Sequence, residues 1–177
     1  SYGETAYYAS ATTTWEQRKL GEVVDVRSGK DYKHLDSGNI PVYGTGGYMT
    51  SVSAALSYSE DAIGIGRKGT IDSPYVLHAP FWTVDTLFYS IPRNGFDLDF
   101  AFCLFLNTNW KSKDESSGLP SLSKQAINST IIRIPGQIEQ RLIGALFRDV
   151  DDLITLRQRE LGHTKLMKKS LLQQMFV

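Results

Sequence analysis

Cysteine is almost missing from this chain. Its 177 residues include one, Cys103, so no intramolecular disulfide can form, and a reducing, cytoplasmic setting is expected. Cys103 sits in the apolar run Ala101 to Leu106, where a free cysteine reads as a small buried hydrophobe. Long hydrophobic runs are missing too. The most apolar stretch, Phe96 to Leu106, is broken by Asp97 and Asp99 and falls short of the roughly 18 residues that a membrane span needs. Neither sign of charge is in excess: 19 Lys and Arg balance 19 Asp and Glu. The overall basic signature of a nucleic-acid binder is thereby absent, and any such surface must be a local patch. The opening SYGETAYYASATTT has no basic region and no apolar core, so residues 1–14 are expected to be a tag or linker remnant rather than a secretory signal.

Recognisable catalytic patterns are also lacking. His34, His78 and His163 are scattered, and no Ser, Cys or carboxylate stands at triad or metal-ligand spacing from them, so neither a catalytic centre nor a metal site is expected. Tyr43-Gly44-Thr45-Gly46-Gly47-Tyr48 superficially suggests a phosphate-cradling loop, but it lacks Gly-x-Gly-x-x-Gly spacing and a following helix pattern. A tight turn is the better reading. Asp72-Ser73-Pro74-Tyr75 is a near miss to the Asp/Asn-Pro-Pro-Tyr segment of adenine methyltransferases. The parallel α/β domain that such chemistry requires has no counterpart in the pattern.

What is present is a body of short apolar or β-branched runs punctuated by Gly, Pro and Ser, which predicts strands near Glu22 to Val26, Ile40 to Tyr43, Ala62 to Gly66, Tyr75 to His78, Trp82 to Ile91 and Thr130 to Ile134. One helix is expected behind Asp97 and Asp99, with Leu98, Phe102, Phe105 and Trp110 at helical spacing. A shorter one is expected to be capped by Ser123. Strands and helices without regular alternation give an α+β body over residues 15–136.

After Pro135 and Gly136 proline disappears, and Ile138, Leu142, Leu146, Val150, Leu153, Ile154, Leu161, Leu171 and Met175 recur at helical spacing. A helix over residues 137–177 would be roughly 60 Å long, about twice the width of a domain of some 120 residues. Its stripe therefore calls for a partner helix, with Val150, Ile154, Leu161, Leu171 and Met175 as the dimerisation residues. Gly162 is the position suited to a break should the helix fold back instead.

Basic side chains gather in the predicted loops: Arg27, Lys30, Lys33 and His34 around Ser28-Gly29, Arg67 and Lys68 between Gly66 and Gly69, Lys111 and Lys113, and Lys124 beside a hydroxyl-rich run. Such residues contact phosphates and purine edges, and these nine are the candidate DNA contacts. Each cluster alone is more often a solvated loop.

Several segments in order carry a family likeness: WEQRKLGEVV at 15–24, IPVYGTGGY at 40–48, IGRKGTIDSPYV at 65–76, PFWTVDTLFY at 80–89, SSGLPSLSKQAINSTIIRIPGQIEQRLIGALFRDVDDLI at 116–154 and KKSLLQQMFV at 168–177. Together they resemble the specificity subunit of Type I restriction-modification systems. The resemblance implies a non-catalytic protein with a DNA target-recognition domain at 15–136 and a conserved spacer helix at 137–177. In that family two recognition domains read the halves of a bipartite double-stranded DNA target, and paired spacer helices dock methyltransferase subunits. S-adenosylmethionine belongs to the methyltransferase subunit, none to this chain, and a separate restriction and motor subunit cuts. One domain and one helix correspond to a half-subunit, natural or excised, for which a homodimer with antiparallel helices restores the plan. The competing reading is a coiled-coil assembly protein that binds protein or a small ligand without DNA specificity.

Overall fold

Burial on both faces of one sheet organises the body. The computed structural model describes residues 15–176; the expected tag or linker remnant at 1–14 lies outside the described residues. Strand β5 (Ala62–Gly66) is buried throughout, and β8 (Leu87–Pro92) is buried up to its last residue. They form the centre of a four-stranded antiparallel sheet with β2 (Val24–Ser28) and β6 (Tyr75–Leu77), in the order β2-β8-β5-β6. Alternate side chains serve two cores. Val24, Val26, Ile63, Ile65 and Phe88 face a helical layer, whereas Leu87, Tyr89, Ile91 and Leu77 face a second sheet.

That second sheet has the order β4-β3-β7, from β3 (Ser37–Gly44), β4 (Gly47–Val52) and β7 (Trp82–Thr83). The glycine-rich run after Tyr43 is its hairpin: Thr45 and Gly46 form the turn, and Gly47 takes a φ of 101°, which a side chain would strain. The expected strand over Trp82 to Ile91 is split into β7 and β8. Val84 donates its N–H to the Tyr43 carbonyl and accepts from Leu87, which turns the chain between the two sheets.

The helical layer comprises α1 (Leu20–Val23), α2 (Leu98–Asn107) and α3 (Lys124–Asn128), closed by β1 (Glu16–Lys19) paired antiparallel with β9 (Ile131–Ile134). The strand expected from Glu22 thus begins only at Val24, after a helical turn. Asp97 caps α2, accepting from the Phe100 amide at 2.9 Å, but its buried residues are Phe100, Ala101 and Phe105. Phe102 is only half-buried, and so is Cys103, because α2 packs against the core on one side and a later helix on the other. Trp110 follows in a 3-10 turn, Trp110–Lys113. Its Nε1 donates to the Phe105 carbonyl at 2.7 Å.

The last element, α4 (Gln137–Met175), runs unbroken for 39 residues, through Gly162, and is about 58 Å long. Only its first turns touch the body. Gly144 lies against the start of α2, where a Cβ would meet Asp97 Oδ1 at 2.5 Å and the Phe100 amide at 2.8 Å. Arg148 pairs with Asp99 at 2.7 Å, and Trp15 Nε1 donates to Glu139 at 3.2 Å. From Leu146 onward every described residue is exposed.

Emptying the Phe105 site should cost more than emptying the Phe102 site. Phe105→Ala is expected to lower stability by about 3–5 kcal/mol, and Phe102→Ala by clearly less. Chemical denaturation of the two variants checks the order.

Candidate nucleic-acid interface

Loop positions here are set by backbone hydrogen bonds. Arg67 donates its amide to the Thr86 carbonyl at 2.8 Å, and Gly29 donates to Leu87 at 3.0 Å. Lys30 donates to Thr83 at 2.9 Å. Two cation-bearing loops separated in sequence therefore hang from one segment, residues 83–87, at the end of the central sheet where β2 and β5 finish and β8 starts. A third joins them: Leu122 donates to the Arg67 carbonyl at 2.9 Å, Gly69 donates to Pro120 at 2.8 Å, and Lys68 bridges Ser121.

The result is a cleft of about 400 Å³ lined by Ser28, Arg67, Lys68, Phe88, Glu115 and residues Ser121 to Lys124. Arg67 and Lys68 are exposed. The Arg67 guanidinium lies 5.7 Å from the centre of the Phe88 ring, a distance for cation–π attraction that steadies the group without neutralising it. Among the described residues, Lys30, Lys33, Arg67, Lys68 and Lys124 form no ion pair. One carboxylate shares the cleft: Glu115 accepts from the Ser123 hydroxyl at 3.0 Å. Unpaired cations and hydroxyls around a concave surface are what phosphate contacts require.

The other sequence candidates are placed differently. Lys30, Lys33 and His34 follow β2 on an exposed loop. Trp82 anchors it, donating Nε1 to the Lys30 carbonyl at 2.8 Å and meeting the His34 ring edge-on at 6.1 Å. Arg27 is occupied, with Asp25 at 2.7 Å and Glu60 at 3.5 Å; the hydrogen bond it donates to Asp25 raises its pKa. Lys111 is 2.7 Å from Asp72, a pair that holds the Asp72 carboxyl below its usual range. Lys113 is half-buried in the 3-10 turn. Sequence reasoning did not single out Glu115, and it missed that Arg27 and Asp25 share a strand face, which their two-residue spacing signals.

No group of three or more His, Cys, Asp and Glu side chains among the described residues could hold a metal ion. Burial pushes the Cys103 thiol up to about 11, with Asp151 and Asp99 adding to it, so it is protonated at neutral pH. No described helix is long and apolar enough to cross a membrane.

The family model for the Type I restriction modification DNA specificity domain matches residues 12–162. The chain belongs to this family. Solved structures share the specificity domain's fold. The crystal structure of the Type I restriction-modification system S subunit from M. genitalium has a TM-score of 0.70 at 20% identity, over 90% of this chain and 45% of that one. A chain from work on complex assembly and conformational transition of the type I R-M system has a TM-score of 0.68 at 16% identity, over 94% and 45%. The HsdS subunit from Thermoanaerobacter tengcongensis has a TM-score of 0.62 at 16% identity, over 88% and 42%. The specificity domain thus spans less than half the length of these structures. A search of curated proteins finds no match.

The cationic loop of this specificity domain depends on Gly66, where a Cβ would overlap the Thr70 carbonyl. Gly66→Ala is expected to lower stability by about 1–3 kcal/mol, as overpacking does. Gly46→Ala, at a site with nothing within 4 Å, should change it by about 0.5 kcal/mol or less. Thermal or chemical unfolding measures both.

Proposed function

We propose that this chain is the DNA-reading half of a Type I restriction-modification specificity subunit. It recognises one half of a bipartite double-stranded target and performs no catalysis itself. The observation that carries the reading is the convergence of Arg67, Lys68 and Lys124 in one cleft, fixed by loops that share the 83–87 segment. Lys30, Lys33 and His34 extend the same end of the sheet. Phosphate contacts by these cations hold the domain in register, while base-edge contacts supply the sequence information. Methyltransferase subunits carry S-adenosylmethionine and dock on the spacer helix, a restriction and motor subunit completes the complex, and the assembly works in the cytoplasm.

A half-subunit presents one recognition surface, so a bipartite target needs two. The dimerisation residues Val150, Ile154, Leu161, Leu171 and Met175 are all exposed, from 41% at Val150 to 74% at Met175. A large apolar stripe left in water marks a contact surface. Pairing of α4 with a second copy in a two-fold, antiparallel arrangement covers the stripe and sets the recognition domains at opposite ends. An adaptor that binds only protein leaves the unpaired cations of the cleft without a role.

Arg67→Ala combined with Lys68→Ala is expected to weaken duplex binding by the methyltransferase complex and to flatten its salt dependence by about 0.9 for each phosphate that is no longer neutralised. Lys111→Ala should leave the salt slope unchanged, since its charge is engaged by Asp72. Fluorescence anisotropy over a salt series distinguishes these results, and equal slopes for parent and double variant would sink the assignment. Sedimentation at tens of micromolar tests assembly: the parent should be a dimer, and Ile154→Asp with Leu161→Asp a monomer, because carboxylates buried in an apolar seam without partners are costly.

A further inference from the structure

An apolar groove of about 460 Å³ lies where α4 leaves the body, between Trp15, the α2 residues Phe100, Cys103, Leu104 and Leu106, and Ile143 and Phe147 of α4. No described residue fills it. The helix itself indicates what does. Along its exposed face a stripe steps by four, four, three, four, three, four, three, four and four residues from Leu142 to Met175, and this spacing reads the same in either direction. Laid antiparallel on an identical helix, it matches Leu142 with Met175, Leu146 with Leu171, Val150 with Met167 and Leu153 with Thr164.

At the centre Arg157 meets Glu160, and the two-fold axis falls between Gln158 and Arg159. Within one chain Arg157 already reaches Glu160 at 2.7 Å, so the central charged pair can be exchanged between copies without leaving a charge alone. The charges elsewhere agree. Asp149, Asp151 and Asp152 lie in the first half of α4, and Lys165, Lys168 and Lys169 in the second. Antiparallel pairing brings the acidic half of one helix level with the basic half of the other, whereas parallel pairing sets like against like.

One step around the helix from the stripe stand Ile143 and Phe147, the α4 wall of the groove. A two-fold axis keeps equivalent flanks on the same side of the pair, so the second copy brings Leu172 and Phe176 to that wall, with Leu172 level with the gap between Ile143 and Phe147. Both are exposed in the single chain. We infer that the groove between α2 and α4 is the seat for the last helical turn of a second copy of this chain, filled by its Leu172 and Phe176. The contact fixes the register of the helix pair and clasps each arm to the opposite body. This inference rests on the antiparallel pairing proposed above and adds its register, its axis and its terminal contact.

The single cysteine makes the test direct. Cys103 lines the groove, and in its own chain it is about 40 Å from residue 172, since residue 172 lies 29 positions beyond Ile143 on the unbroken helix α4. A disulfide needs Cα atoms within about 7 Å, so Leu172→Cys can reach Cys103 only across a dimer. Mild oxidation of the full chain carrying Leu172→Cys should give a covalent species of twice the mass on a non-reducing gel. The same variant with Cys103→Ser loses any link that involves the groove, and Ser170→Cys, on the opposite flank, gives no link to Cys103. Sedimentation of each reduced variant is run alongside. A reduced dimer without the covalent product overturns the register and the seat while leaving helix pairing in place. A reduced monomer overturns the pairing beneath them, provided that the parent chain is also monomeric. Should Leu172→Cys itself disrupt a dimeric parent, Phe176→Cys supplies the second reading, and absence of a link there too overturns the seat.

Discussion

At Gly144 the backbone of α4 comes so close to the first turn of α2 that a methyl group would press into the Asp97 carboxylate and the Phe100 amide. That carboxylate is also the cap of α2, so one residue both starts the helix that carries Phe105 into the core and receives the helix that leaves the body. The neighbouring contacts reinforce the crossing. Gln140 is buried and donates to the Pro135 carbonyl at 2.9 Å, Arg148 reaches Asp99, and Glu139 accepts from Trp15. A larger residue at 144 would push α4 away and loosen all of them together. The position of the body relative to the stripe depends on this crossing.

The proposed interface accounts for a polyanion partner in a chain of zero net charge. Pairing, rather than composition, sorts its cations. Arg27 and Lys111 are neutralised by Asp25 and Asp72, whereas Arg67 and Lys68 are held by backbone and aromatic contacts that leave their charge available, and Lys124 opens α3 at the edge of the cleft. Since screening in salt confines such a patch to a range of about 8–10 Å, the local arrangement matters more than the total.

Much of this was legible in the residue pattern. Helix α4 was visible because 39 residues without proline keep one apolar period, and β5 and β8 were visible as apolar runs. Strand β1 was not, because Glu16-Gln17-Arg18-Lys19 is charged or polar throughout and on the surface; only its ladder with β9 makes it a strand. The half-burial of Phe102 was not legible because α2 is covered on two sides, which blurs a one-face period. In the cleft, glycines on either side of Arg67 and Lys68 marked an exposed loop correctly. Its union with Ser28 and Lys124 comes from long-range hydrogen bonds that no local pattern records, and the same holds for Lys111 and Asp72.

Mechanically, α4 is a lever clamped near one end. The clamp extends from Glu139 to Arg148, and the free arm from there to Met175 is about 40 Å long. A change of 10° at the crossing moves the tip by about 7 Å on that length, more than the spacing between side chains on a helix face. The few groups at the clamp therefore carry a tight angular tolerance, and small side-chain changes around Gly144 are amplified along the arm. Aim, rather than strength, is what this joint has to preserve.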